Sequence, residues 1–340
     1  MMLKLNTKSL QAFFSKAAKI QRSTQLPILS YLKLSFDNKI ATLTKSNLEA
    51  TIIGQIEYEG DGSDMLIDEN DLQISASNAT SEFIDVEFIN NVGKFDVVLK
   101  YNKVKKVTPS DDINLFPAMP EIKESEIIKL TSDHLKAIEK ASHFSGESEA
   151  LSFVQITPAA IAAFSQQSFY INTNFNELPA VLLRPDEIKV LPNNELEFSD
   201  LERHHVFYVP GFTYIFTKIE GKAAPVDAVL SRLKQPGKDF TFDPFELISF
   251  CNEANATSKS EISTCTMNGS SLSLNDAAYS RSIDAEYNCE GEPDEFTFNS
   301  RSVLSGLKAL PTGKVNAKTN QNCLIINDNQ EWYCFIGMAK

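Results

Sequence analysis

The sequence predicts an α+β protein made of three similar domains, each with two helices on antiparallel sheets. Two observations lead there. The first is a recurring phrase: two apolar residues two apart, a small polar residue, then a helix whose apolar face opens with Leu. It occurs at Leu3, Leu5, Asn6, Leu10, Phe13; at Ile128, Leu130, Thr131, Leu135, Ile138; and at Phe240, Phe242, Asp243, Leu247, Phe250. The second is the stretch between helices, which alternates apolar and polar residues around turn-forming pairs, as half-buried antiparallel strands do.

In chain order, Leu3 and Leu5 read as a strand and Asn6 as the cap of the first helix, since Asn, Thr or Asp accepts a hydrogen bond from an orphan helix N–H. "LKLSFDNKIATLTKS" follows as a hairpin about Asp37-Asn38. Leu66, Ile67, Asp68, Leu72 is a fainter copy of the phrase and opens the second helix. The basic run "KYNKVKK" at 100 to 106 divides between two strand faces and reads as a charged edge that prevents unwanted pairing. Pro117 and Pro120 in "NLFPAMPEIKE" interrupt pairing and mark the first boundary. The third helix follows Thr131, and a fourth copy sits at Val181, Leu183, Ile188. "KQPGKD" at 234 to 239 is the second boundary. The fifth helix follows Asp243, and Asn268-Gly269 turns the next hairpin. Phe296, Phe298, Asn299, Val303 opens the sixth, with "FTFN" echoing the earlier "FTFD". Successive caps lie roughly 55 to 60 residues apart, a period long enough for one helix and several strands. The expected domains are 1–122, 123–236 and 237–340.

A chain of 340 residues with 42% hydrophobic content is a folded protein of two or three ordinary domains. No apolar run is long enough to span a bilayer, and Lys4 and Lys8 begin a segment without a signal-peptide core, so a cytoplasmic location is expected. Five cysteines with no CxxC pair suggest neither a disulfide framework nor a zinc site. The four histidines include no HExxH, and His204 and His205 point to opposite faces of a strand. No metal and no cofactor is expected.

The net charge of −13 argues against a surface that coats nucleic acid everywhere. Its distribution is uneven. Residues 1 to 36 hold Lys4, Lys8, Lys16, Lys19, Arg22 and Lys33 without an acid, and 296 to 327 hold Arg301, Lys308, Lys314 and Lys318, again without one. Such segments offer a local positive surface to phosphates.

The stretch "LPILSYLKLSFDNKIATLTKSNLEATI", from Leu26 to Ile52, resembles the N-terminal domain of the bacterial sliding clamp, the beta subunit of DNA polymerase III. That family has Leu-Pro-Ile-Leu after its first helix and a Thr-Asp-Leu-Glu phrase, here Ser46-Asn47-Leu48-Glu49. "NLFPAMP" resembles the phrase closing the family's first domain, "FTKIEGKAAPVDAVL" is similar to its Ile-Glu-Gly segment, and "YCFIGMAK" stands where it ends in an apolar pair and Met-Pro-Met-Arg. The resemblance implies the DNA clamp fold: three alike domains, two subunits closed head to tail into a ring, and double-stranded DNA through the hole. It implies a processivity factor without catalytic residues. Lys16, Lys19 and Arg22 of the first helix, Lys140 and His143 of the third, and Arg301 and Lys308 of the sixth are then the candidates to face DNA. The second and fifth helices fit this less well, because Asp68, Glu69, Asp71, Glu246 and Glu253 are acidic.

The family also accepts a short apolar peptide from its polymerase and clamp loader between the second and third domains. The matching positions are Leu151; Ser168, Phe169, Tyr170 and Ile171; Ala224 and Val229; and Ile336, Gly337 and Met338. Family Pro, Arg and His positions have become Gly337 or Ala224, Ala228 and Phe169, which implies a more apolar pocket. Asn255 and Ala256 replace an apolar pair at the ring contact and imply a weaker or differently built interface. This drift suits a viral or mobile-element clamp as well as a cellular one. Among rival readings, an enzyme finds no GxGxxG, P-loop, GxSxG or metal cluster. A scaffold or carbohydrate-binding protein would want an aromatic platform, and Trp332 is the one tryptophan.

Overall fold

A computed structural model describes residues 2–21, 26–91, 94–122, 126–146, 148, 151–175, 178–192, 194–219, 221, 223–276, 279–320 and 322–338. Among them are seven α-helices: α1 (Thr7–Ala17), α2 (Glu69–Asn78), α3 (Ser132–Ser142), α4 (Pro185–Val190), α5 (Val226–Leu233), α6 (Pro244–Thr257) and α7 (Ser300–Leu307). Six answer the repeated phrase; α5 is additional. The caps form as the phrase requires. Asn6 accepts from the Ser9 N–H (3.0 Å), Asp68 from Asp71 (2.9 Å), Asp243 from Phe245 (2.9 Å) and Asn299 from Arg301 (3.2 Å). The apolar positions that follow each cap, Leu10, Leu72, Leu135, Leu247 and Val303, are buried.

The described chain divides into two units, Met1–Thr131 with Lys189–Lys218, and Ser132–Ile188 with Ile219–Lys340. The first is built on a 12-stranded antiparallel sheet. Its longest strand, Ala50–Gly60, pairs with Met2–Asn6, Ile40–Ser46 and Phe212–Thr217 along different parts of its length. The predicted hairpin forms, Tyr31–Asp37 pairing with Ile40–Ser46, and Asn38 (φ 45°) and Lys39 (φ 68°) make the turn. Positive φ at both central residues matches the right-handed twist of the strands. The strand Val104–Ser110 ends the sheet and carries Lys105 and Lys106, the charged edge expected at 100 to 106, with Pro109 beyond them as a further guard against pairing. Helix α1 lies on this sheet so closely that a Cβ at Gly54 would stand 2.6 Å from the Phe13 ring.

The second unit holds a nine-stranded sheet and a four-stranded one. In the larger, Ser168–Asn172 pairs with Glu331–Ile336, which pairs with Cys323–Asp328. One face packs on α5: Ala160, Ala162, Ile171, Ile325 and Cys334 meet Val226 and Leu233. On the opposite face Phe144, just beyond α3, stacks on Tyr170 and contacts Tyr333 and Phe335. Helix α7 reaches that aromatic group because Gly306 has no side chain; a Cβ there would fall 2.7 Å from Phe144. No helix among the described residues is long and apolar enough to cross a membrane.

Candidate functional site

The basic candidates are not equally free. In the first unit Lys16 is half-buried in the last turn of α1, and Lys19, just beyond it, is exposed and donates from Nζ to the Lys189 carbonyl (3.0 Å). Arg22 lies outside the described residues. In the second unit His143 and Lys308 are exposed, His143 with Nδ1 3.3 Å from Ser305 Oγ. Two candidates have structural duties. The Lys140 ammonium is bound to Glu331 Oε2 at 2.8 Å, and the Arg301 guanidinium donates to the Ser258 carbonyl (3.0 Å) and the Asn255 carbonyl (3.4 Å) at the end of α6. Arg301 remains exposed there, so its charge still reaches solvent.

The acids that sat poorly on α2 are largely accounted for. Asp68 is the helix cap, Glu69 is buried against the Lys45 ammonium at 3.0 Å, and Asp71 pairs with Lys106 at 2.6 Å. Burial opposes ionisation of Asp71, but the Lys106 ammonium bonded to it helps hold its carboxyl below the usual range. Lys45, unremarked in the sequence, also donates to the Ala17 (2.8 Å) and Ile20 (2.6 Å) carbonyls and so closes the C-terminal end of α1. On α6, Glu246 bonds the Asn288 backbone and amide, whereas Glu253 is exposed.

The peptide-pocket candidates divide by strand alternation. Phe169 and Ile171 point to the α5 face, where Val229 and Ile336 join them in one apolar cluster; Phe169 also packs on Phe164, ring centres 5.7 Å apart. Ser168 and Tyr170 point to the other face. Tyr170 is 0% exposed, packed between Phe144 and Tyr333, and burial pushes its phenol pKa far up, so it is a core residue and cannot touch a surface ligand. Its hydroxyl accepts from Asn172, which also bonds Glu331, the carboxylate that holds Lys140. Ser168 is buried and bonded to Ser165, and with half-buried Leu151 it lines a polar cleft of about 460 Å³ that also includes His143, Arg301 and Ser302. Two candidates of each predicted set, His143 and Arg301 with Leu151 and Ser168, thus meet there.

Ala224 is fixed at the entry to α5 by a residue that sequence reasoning passed over. Gln155, 1% exposed, accepts from the Ala224 N–H (2.6 Å) and donates to its carbonyl (3.2 Å). The end of the chain is also tied down: Ile336 donates to the Gln167 carbonyl, Gly337 to the Asn322 carbonyl and Met338 to the Thr297 carbonyl, each at 2.7 Å. These backbone bonds fix Ile336 beside Phe169 and Val229. The cluster also includes Cys323 and Cys334, missed because a lone cysteine in a strand carries no sequence signal beyond its apolar character.

By sequence, no family model and no curated relative matches the chain. By structure the likeness is extensive. The chain superposes on the beta subunit from the DNA polymerase of Streptococcus pyogenes with a TM-score of 0.86 at 16% identity, covering 100% of both chains. The C. crescentus beta sliding clamp gives 0.87 at 13% identity, covering 100% of this chain and 99% of that one. The Bacillus subtilis DNA polymerase sliding clamp gives 0.84 at 15%, again with 100% and 99% covered. Over its whole length, this chain has the fold of the bacterial DNA polymerase III beta sliding clamps.

Proposed function

We propose that this protein is a DNA sliding clamp, a non-enzymatic processivity factor that encircles duplex DNA and tethers a replicative polymerase. The observation that carries the reading is the likeness to beta sliding clamps along the entire chain, at TM-scores of 0.83 to 0.87. The repeated strand, cap and helix supports it independently, since a ring of alike domains needs that repetition.

Sliding sets the chemistry. A bidentate contact to a base edge is worth about 1 to 3 kcal/mol and would pin the protein to one sequence. Lys16, Lys19, His143, Arg301 and Lys308 sit at helix ends and reach toward solvent, which suits diffuse attraction to phosphates. The chain as a whole carries a net charge of −13, which repels DNA from the remaining surface. Three domains at 1–122, 123–236 and 237–340, a homodimeric ring and a cytoplasmic site of action complete the proposal.

The partner groove in this reading is the apolar cluster under α5, with Phe169, Ile171, Val229 and Ile336 as the wall that a short apolar peptide from a polymerase or clamp loader would cover. Primer extension with a bacterial polymerase and loader tests the function. Longer products per binding event in the presence of this protein support it; unchanged product length in a reaction that a known clamp stimulates contradicts it.

A further inference from the structure

Two thiols occupy the face that the proposed groove needs. Cys323 opens the strand Cys323–Asp328, Cys334 lies in the neighbouring strand Glu331–Ile336, and the register puts Cys323 opposite Ile336 and Cys334 opposite Ile325. The two cysteines are therefore diagonal neighbours on one face of the sheet, in the cluster that holds Phe169, Val229 and Ile336. Cys334 is 0% exposed, whereas Cys323 is half-buried at the cluster's margin.

We propose that Cys323 and Cys334 form a peroxide-sensitive thiol pair whose oxidation remodels the groove. The proposal about the groove rests on the clamp reading above; the chemistry of the pair does not. Cys323 is the thiol of the pair that solvent reaches; interaction with its diagonal neighbour Cys334 holds it below the usual range and, with burial, pushes Cys334 well above it. Cys323 is thus the nucleophile and Cys334 the resolving thiol. The Cys323 sulfur attacks a peroxide oxygen, an S–O bond forms as the O–O bond breaks, and the peroxide is reduced to water. The Cys334 sulfur then attacks the sulfenic acid, the S–S bond forms, and the hydroxyl leaves with the thiol proton as a second water.

The diagonal geometry gives this a mechanical consequence. Diagonal pairs start about 7 to 8 Å apart, while a disulfide usually spans about 4.4 to 6.8 Å between Cα atoms. Closing the bond draws the first residue of one strand toward its neighbour. Ile336, directly opposite, is displaced from Phe169 and Val229.

Mass spectrometry of the full-length protein after hydrogen peroxide decides the pair. The expected result is a cross-link between the peptides bearing residues 323 and 334, its loss in Cys323→Ser, and a dimedone-trapped sulfenic acid at Cys323 in Cys334→Ser. Cys289 is the internal comparison: it is also half-buried, but its thiol donates to the Gly291 carbonyl, at 3.8 Å, and among the described residues it has no neighbouring cysteine on its strand face. Oxidation of Cys289 at the same dose with Cys323 still reduced overturns the proposal. Fluorescence anisotropy with a Leu- and Phe-containing polymerase-tail peptide reads the groove. Oxidation should weaken binding by about tenfold or more, with recovery in dithiothreitol, and undiminished binding by cross-linked protein overturns the remodelling. A reduced protein that binds no peptide counts against the groove, and the mass spectrum still decides the thiols.

Discussion

Replacing Lys45 by Met is the sharpest test of how the first unit holds its helices. Lys45 and Glu69 side chains are 3% and 5% exposed, and their charged atoms are 3.0 Å apart. At that distance an effective dielectric near 20 gives roughly 5 to 6 kcal/mol of attraction, most of it offset by desolvation. Removing only the ammonium leaves the Glu69 carboxylate buried, which costs about 3 to 5 kcal/mol. The Lys45 bonds to the Ala17 and Ile20 carbonyls go as well, about 1 kcal/mol each or less, since the Ala17 carbonyl keeps the Ile20 N–H at 3.0 Å. These effects overlap, so Lys45→Met should lose about 3 to 5 kcal/mol, read as a lower urea midpoint at unchanged slope. The double variant Lys45→Met/Glu69→Leu should recover a large part, because the buried carboxylate is gone while the Lys45 bonds to the two carbonyls stay lost. A loss below about 1 kcal/mol for the single variant, or a double variant worse than the single, refutes the buried-pair account.

Three further outcomes follow from the same contacts. Phe169→Ala should weaken peptide binding by more than about 1 kcal/mol, whereas Ser168→Ala, on the opposite face, should leave it nearly unchanged; anisotropy titrations of both variants separate the faces. Lys19→Ala/Lys308→Ala should weaken DNA binding alike on all sequences and flatten its salt dependence, each phosphate contact contributing about 0.9 to the log–log slope; a sequence-dependent loss contradicts diffuse phosphate contact. Asp276 gives a pH prediction. Burial opposes its ionisation, but Ser258, Ser260 and the Lys259 N–H bond the carboxylate and hold its pKa down. A folded-state pKa below the unfolded one contributes stability above the unfolded value, near about 4, that disappears as pH falls through the folded one. Asp276→Asn should therefore be less stable than the parent at neutral pH, and the gap should narrow on acidification below pH of about 4 in urea melts; a constant gap contradicts the assignment.

Local signals were legible in the sequence and distant ones were not. The caps at Asn6, Asp68, Asp243 and Asn299 bond N–H groups two or three residues away, so spacing alone reveals them. The Asn38-Lys39 turn and the basic edge near Lys105 are local in the same sense. Pairing of Ala50–Gly60 with Phe212–Thr217 joins segments far apart in sequence, and nothing in either strand names its partner. Helix α5 was passed over because no side chain caps its N-terminus; Pro225 stands there and Gln155, distant in sequence, holds the entry. Tyr170 shows a signal that was present and unused. In Ser168–Asn172 the period of two puts Tyr170 on the face opposite Phe169, so both could not line one groove. The duties of Lys140 and Arg301 were invisible for the opposite reason: a basic residue has the same sequence signature whether it meets phosphate, Glu331 or a helix-end carbonyl.

Topological retention on DNA tests the central claim most directly. Loaded with a clamp loader onto nicked circular duplex, the protein should stay bound through a high-salt wash and leave when a single cut linearises the circle. Equal retention on circular and linear DNA, or release from the intact circle under conditions where a known clamp stays, would contradict the account.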